Sequence, residues 1–406
     1  MRALVLRAVL AAGLLPAAAG AQTLSLTESQ ALSRLSAESP RVQAVRAAVD
    51  VARADVLAAG RWPNPRVTFN REAVAGITEN MLLVSQVLPV TGRRRLDVGA
   101  ASARVDAATS RADDEIRRLR ADLRLSFTDL WVAQAREREL ARSRDRLRDL
   151  ADVLGRREAA GEVAGFDRLR ADREAIDVEA DRAAAAAERA RAQALLVSFF
   201  PSAPEGIVEA VTTARQVQMV PPLEELIVRA EALRPDLVAL EHELEAATLA
   251  GRAAGRLAIP EPELVAGTKS SNAGTGDIGT VVSVHVSVPL FDRARPERAA
   301  ALARAAQVRA ETERLRLTLR TQIAGWREAL VARRNSAASY RVAVTANAEQ
   351  IERIAQVSYE AGERGILDLL DAYRIGAAAR VRQVTLDGAV REAEIELEYA
   401  SGWEIP

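Results

Sequence analysis

Cysteine is absent from the 406 residues. Its absence excludes disulfides, thiolate zinc sites, iron–sulfur clusters, a cysteine nucleophile and an N-terminal lipidated cysteine. Aromatic residues are scarce at 3%, too few for an ordinary globular core. Net charge is missing as well: 56 basic residues balance 56 acidic ones, leaving no basic excess for the phosphates of a nucleic acid. Only His242 and His285 supply imidazoles. His242 stands between Glu241 and Glu243 on a helical stretch, where adjacent positions do not share a face, so the three make no chelate. A nucleophile elbow, an HExxH helix, a phosphate loop and a dinucleotide turn are all lacking, and Gly274-Thr275-Gly276 reads as a surface turn between strands. Nothing indicates an enzyme, a resident metal or a cofactor. After residue 22 no apolar run is long enough for a transmembrane helix.

What is present is alanine and arginine, with 49% hydrophobic and 28% charged residues. That profile excludes disorder and suits long helices packed through small side chains. Lys269 is the only lysine. At the N-terminus, Arg2 and Arg7 precede the apolar run Ala8 to Leu15, and Ala19-Gly20-Ala21 offers small residues to a signal peptidase. Residues 1–21 are therefore expected to be a signal peptide, cleaved before Gln22, and the protein to be exported.

Four markers recur in the same order about 200 residues apart. Ser39-Pro40-Arg41-Val42 returns as Arg234-Pro235-Asp236-Leu237, and Trp131 as Trp326. Val84-x-x-x-Leu88-Pro89-Val90 returns as Val284-x-x-x-Val288-Pro289-Leu290. Ala160-Gly161-Glu162 returns as Ala361-Gly362-Glu363, followed by Asp167 and Asp368 respectively. The chain thus reads as two copies of one unit, 22–205 and 222–402, joined by a linker at 206–221.

Each unit reads helix, strands, very long helix, glycine turn, helix. The first has helices over 28–60, opened by a Thr27-x-x-Gln30 capping box and divided by Pro40, then strands over 66–90, a long helix 94–158 and a helix 166–199. Its long helix carries a seam at Ile116, Leu119, Leu123, Phe127, Leu130, Leu140, Leu147, Leu150 and Leu154. The second has helices over 222–258, strands over 262–291, a long helix 296–360 and a helix 366–400. Its seam is expected at Leu319, Ile323, Trp326, Leu330, Tyr340, Val344, Ile351 and Ile354. At 1.5 Å per residue each long helix spans on the order of 95 Å, so strands fall at one pole and glycine turns at the other.

From Thr280 to Leu290, Val282, Val284, Val286, Val288 and Leu290 alternate with Ser283, His285 and Ser287. This pattern suits a transmembrane β-strand around a wet lumen, and equally a half-buried strand of a soluble sheet. Met81 to Leu88 alternates poorly, because Leu82 and Leu83 are both apolar. Four strands per chain are too few for a barrel, which needs about eight, so a membrane role requires several chains in one barrel.

The succession of helix, strand hairpin, long helix, glycine turn and helix, twice over, resembles the outer membrane efflux protein family, the TolC-like channels. The residues carrying the resemblance are Ser39-Pro40, Trp62-Pro63-Asn64-Pro65, Ser85-Gln86-x-Leu88-Pro89, Val288-Pro289-Leu290-Phe291-Asp292, and Ala361-Gly362-Glu363 through Leu367-Asp368-Leu369-Leu370-Asp371-Ala372. Ser85 to Arg94 resembles the strand-to-helix passage of the heavy-metal efflux branch, the CusC- and CzcC-like channels. The resemblance implies a mainly α fold with a small β part: a homotrimeric α-helical barrel continued by a 12-stranded transmembrane β-barrel, four strands from each chain. It implies a passive outer-membrane duct with a periplasmic helical extension, for heavy-metal cations or small toxic compounds. The implied partners are outer-membrane lipid, a periplasmic adaptor and an inner-membrane pump of the RND type.

It also implies site residues. Asp368 and Asp371 match paired aspartates at the periplasmic entrance; a first-turn carboxylate also suits the helix dipole. The first unit has Asp167 but Arg170 in the corresponding places, and an Arg170 to Asp371 ion pair is expected to hold the entrance shut. Gly161, Gly165, Gly362 and Gly365 match turns that meet the adaptor, although glycine C-caps explain them too. Ser283, His285 and Ser287 are expected to face the lumen. The competing readings are a soluble periplasmic coiled-coil scaffold, which does not account for a strand hairpin inserted at the same point of both units, and an adaptor protein, which would carry one helical hairpin flanked by lipoyl-like and barrel strands where two equal hairpins are found.

Overall fold

A computed structural model describes residues 23–162, 165–204, 206–212 and 218–404. The expected signal peptide lies outside them. The chain begins with β1 (Thr23–Leu26) and α1 (Glu28–Ser33), whose capping box closes as expected: Gln30 N donates to Thr27 Oγ1 and Thr27 N donates to Gln30 Oε1. Pro40 occupies the first turn of α2 (Pro40–Ala59), where its missing N–H costs nothing. Then come β2 (Arg66–Val74), β3 (Ile77–Val87), the rod α3 (Arg93–Ala159) and α4 (Gly165–Val197). After β4 (Ile207–Ala210), the second half repeats the plan with α5 (Leu223–Leu233), α6 (Pro235–Arg256), β5 (Glu263–Ser271), β6 (Ile278–His285), α7 (Arg295–Tyr340), a π-helical turn Arg341–Thr345, α8 (Ala346–Glu360) and α9 (Ile366–Ser401).

α3 is the spine, packing against α2, α4, α6 and α9. Its seam lies where the spacing predicts: Leu119, Leu123, Phe127, Leu130, Leu147 and Leu154 are buried. Between these leucines the core is built largely of alanine, among them Ala100, Ala103, Ala107, Ala171, Ala175, Ala246 and Ala253, which lets helix axes approach closely. No helix among the described residues is long and apolar enough to cross a membrane.

Two departures from the expected plan have physical causes. Residues 207–210, expected within a linker, form β4, paired in parallel with β1, and Val208 is fully buried. The Gln134 side chain of α3 secures β4 by donating to Val208 O at 3.0 Å and accepting from Ala210 N at 3.1 Å. The second rod is interrupted by the π-turn, which inserts one residue into the helical repeat and rotates everything after it. Downstream, Ala348, Glu352 and Ala355 face the core. Ile351 and Ile354, expected on the seam, are exposed.

Candidate functional site

The two hairpins join through β3 and β5 into one antiparallel sheet of order β2-β3-β5-β6. Because side chains alternate along each strand, the register sorts the sheet into two faces. One carries Val67, Phe69, Leu82, Val84, Leu264, Ala266, Val282 and Val284, with Arg71 as its one charged residue among the described strands. These apolar groups face outward, Phe69 being 64% and Val282 70% exposed. The other face carries Arg66, Thr68, Asn70, Glu72, Glu79, Ser85, Lys269, Ser283 and His285. The ambiguous pair Leu82 and Leu83 is thereby split, Leu82 joining the apolar face and Leu83 lying opposite Gly267 on the polar one. Strands of 9 and 11 residues in β2 and β3 match the length that crosses a bilayer when tilted. Among the described residues the outer edges of β2 and β6 have no neighbouring strand.

Ser283 and His285 share the polar face, with Ser283 Oγ 3.5 Å from His285 Nε2. Ser287 does not join them, since β6 ends at His285. The cause lies in the neighbouring strand: β5 begins at Glu263, paired with His285, and the preceding Pro262 has no N–H to extend the ladder. The Pro262 carbonyl instead accepts from Leu88 N at 2.9 Å. The base of the sheet is tied to the helices by Thr91 Oγ1 donating to Glu261 at 2.7 Å and by Arg94 donating to Gly60 O.

At the opposite pole, about 100 Å away along α3, the two glycine turns are copies of each other. Gly161 and Gly362 have φ of 77° and 75°, a left-handed conformation that favours glycine. Gly161 N donates to Glu158 O and Glu162 N to Arg157 O; Gly362 N donates to Tyr359 O and Glu363 N to Ser358 O. Both are Schellman caps. Gly365 is the N-cap residue of α9, and Gly165 opens α4 with the Glu158 carboxylate filling the space beside it. A shared core of Leu147, Leu154, Ala171, Ala355, Ile366 and Tyr373 binds the two tips together.

Asp368 and Asp371 lie on an exposed flank of α9 at this pole. Asp371 pairs with Arg374 at 2.6 Å within its own helix. Arg170 lies over the Phe166 ring, 6.0 Å from its centroid, so the expected Arg170 to Asp371 ion pair does not form within one chain. Asp167 is half-buried and near Tyr359; burial chiefly, and the Asp167 charge in addition, push that phenol up against the pull of Arg157.

Sequence reasoning missed a charged junction above the tips. Glu352 of α8, only 8% exposed, is held by Arg146 of α3 at 2.6 Å and Arg380 of α9 at 3.0 Å, and Arg380 also reaches Glu139 at 3.2 Å. Its one signal was Gly376, an isolated glycine in a helical pattern, whose missing side chain leaves room for Glu352.

Residues 226–403 match the family model described as outer membrane efflux protein. Across 381 residues, 93% of this chain and 90% of the relative, the sequence is 25% identical to the cobalt-zinc-cadmium resistance protein CzcC of Cupriavidus metallidurans. The fold is similar to a crystal structure of CusC, with a TM-score of 0.76 and 18% identity over 93% of this chain and 92% of that one. It is likewise similar to the open state of the Neisseria gonorrhoeae MtrE outer membrane channel, with a TM-score of 0.76 and 18% identity over 92% and 88% of the two chains.

Proposed function

We propose that this chain is a member of the outer membrane efflux protein family and the outer-membrane exit duct of a tripartite efflux system. Three copies close their four-stranded sheets into one 12-stranded barrel, and their helices into a tunnel extending through the periplasm. The observation that carries this reading is the sheet itself. It has a mostly apolar and a mostly polar face and, among the described residues, two edges without a neighbouring strand, and it stands at the end of a rod too long for a globular domain. An isolated sheet of this kind exposes both its edges and its apolar side to water; closure with two copies inside a membrane satisfies both.

The division into two repeats, 22–205 and 222–402, with 206–221 between them, is part of the proposal. The similarity to a cobalt-zinc-cadmium resistance protein supports divalent metal cations as the first cargo to test. A duct needs no chelating site, since selection can rest with an inner-membrane pump of the RND type and a periplasmic adaptor. The turns at Gly161, Gly165, Gly362 and Gly365 are the surfaces assigned to the adaptor, and Asp368, Asp371, Asp167 and Arg170 surround the entrance. Ser283 and His285 line the lumen near the base of the barrel.

The test is the native mass of protein extracted by detergent from purified outer membranes, with ion conductance in a planar bilayer measured on the same sample. A conducting trimer is expected. A soluble periplasmic monomer or dimer without conductance overturns the duct and leaves the coiled-coil scaffold.

A further inference from the structure

Every basic residue of the chain is arginine except Lys269. Lys269 stands on the polar face of the sheet, and its ammonium lies 2.7 Å from Glu79 Oε2. Glu79 is directly opposite Glu72 in the β2-β3 ladder. Two carboxylates facing each other across an antiparallel pair repel, and Lys269, on the strand beyond Glu79, sits diagonally to Glu79, one step nearer the helices, where it offsets that carboxylate while Glu72 lies one strand farther away. All three lie toward the hairpin turns, at the end of the sheet away from the helical rods; the other charged side chains of this face, Arg66 and Glu263, lie at its base. With Lys269 in place this group carries one net negative charge per chain. Without it the charge is two.

We infer that Lys269 sets the ion preference of the outer mouth of the duct, by keeping the facing Glu72 and Glu79 from becoming a trap for exiting cations. The inference rests on the duct reading above and concerns the exit, not the entrance aspartates. Rings of charged side chains decide which ions pass, but conduction also requires that an ion be held weakly enough to leave. Three copies of a bare Glu72–Glu79 pair around one mouth would hold a divalent cation. The built-in ammonium engages Glu79 of that pair and leaves one net negative charge per chain, a mild preference for cations.

The test uses full-length protein extracted from outer membranes and inserted in planar bilayers, comparing wild type with Lys269→Gln, Lys269→Arg, Glu79→Gln and the Lys269→Gln/Glu79→Gln double variant. Reversal potentials are read in a KCl gradient, then conductance with added Zn²⁺. Lys269→Gln is expected to raise the cation-to-anion permeability ratio roughly twofold, following the doubled fixed charge, and to make the channel subject to block by Zn²⁺. Lys269→Arg and the double variant, which restore the net charge, are expected to behave as wild type. Glu79→Gln is expected to reduce the ratio. A conducting wild type with the same reversal potential and Zn²⁺ response in all variants overturns the inference while leaving the duct standing. A wild type recovered as a soluble monomer or dimer without conductance overturns both.

Discussion

The Glu352 carboxylate of α8 lies in the space that a side chain at Gly376 of α9 would fill. From there it reaches Arg146 of α3 and Arg380 of α9, so one buried anion joins three helices of both halves of the chain. Glycine is required at 376 for reasons of space alone, since it sits mid-helix with ordinary dihedrals.

Gly376→Ala is therefore expected to displace Glu352 from its arginines and to cost about 1–3 kcal/mol, the usual range for overpacking. Thermal unfolding of the helical part, followed by circular dichroism, measures this. Glu352→Ala, which opens the space but takes from Arg146 its carboxylate and leaves Arg380 with Glu139, is expected to destabilise as well, by about 1–3 kcal/mol. An unchanged transition in Gly376→Ala would show that the carboxylate relocates at no cost.

Asp114 of α3 gives the pH dependence. Burial raises its carboxyl above the ordinary 3.8, while Arg234, the Tyr399 hydrogen bond and Arg117 pull it down. A carboxyl whose pKa is raised on folding contributes stability below 3.8 and loses it as the pH climbs through the raised value. Asp114→Asn is thus expected to gain stability relative to wild type as the pH goes from acid to neutral. The same substitution removes a charge that helps burial hold the Tyr399 phenol up at about 12, so Tyr399 should ionise at lower pH in the variant. Parallel denaturation curves and a phenolate absorbance titration decide both points.

The two long rods, the seam of α3 and the matched glycine turns were legible because each is written in local spacing. Leucines at steps of three and four and an Ala-Gly-Glu after each rod need no knowledge of distant residues. The misreadings are all non-local. β6 stops at His285 because of a proline in its neighbour, and Leu82 and Leu83 can be assigned to faces only through their partners in β5. β4 is four residues long and pairs with the first strand of the chain, so its own sequence holds too little pattern to announce it. The π-turn at Arg341–Thr345 contains neither glycine nor proline, yet it shifts the phase and turns Ile351 and Ile354 to the surface. Glu352, a charge on the core face of a coiled coil, contradicts the apolar pattern by which seams are found.

Gln134 is expected to be the clamp of β4. It is 6% exposed, and both ends of its amide are committed to the strand backbone. Gln134→Ala leaves a buried carbonyl and a buried N–H without these partners, a loss of about 1–3 kcal/mol for each group left unsatisfied. Hydrogen exchange should show the Ala210 amide losing protection while amides in the middle of α3 keep theirs. Equal protection at Ala210 in both proteins would refute the clamp.

Asp368 and Asp371, proposed above for the periplasmic entrance, yield the last prediction, and their surroundings decide its form. Asp371 and Arg374 are both exposed, and a surface ion pair at i,i+3 is worth only about 0.3–0.5 kcal/mol, so Arg374 dilutes the charge of Asp371 without immobilising it. Asp368 has no ion-pair partner among the described residues. Cation preference at this pole should therefore fall in Asp371→Ala and in Asp368→Asn, and rise in Arg374→Ala, all read as reversal potentials in planar bilayers. Arg170 is the informative control. Within one chain it lies on Phe166, so any bond to Asp371 joins neighbouring copies of a trimer. If that bond holds the entrance shut, Arg170→Ala and Asp371→Ala should each raise conductance and the double variant should raise it no further, the non-additivity expected of residues in direct contact. Additive effects on conductance would separate the two residues and leave Asp371 as a selectivity group alone.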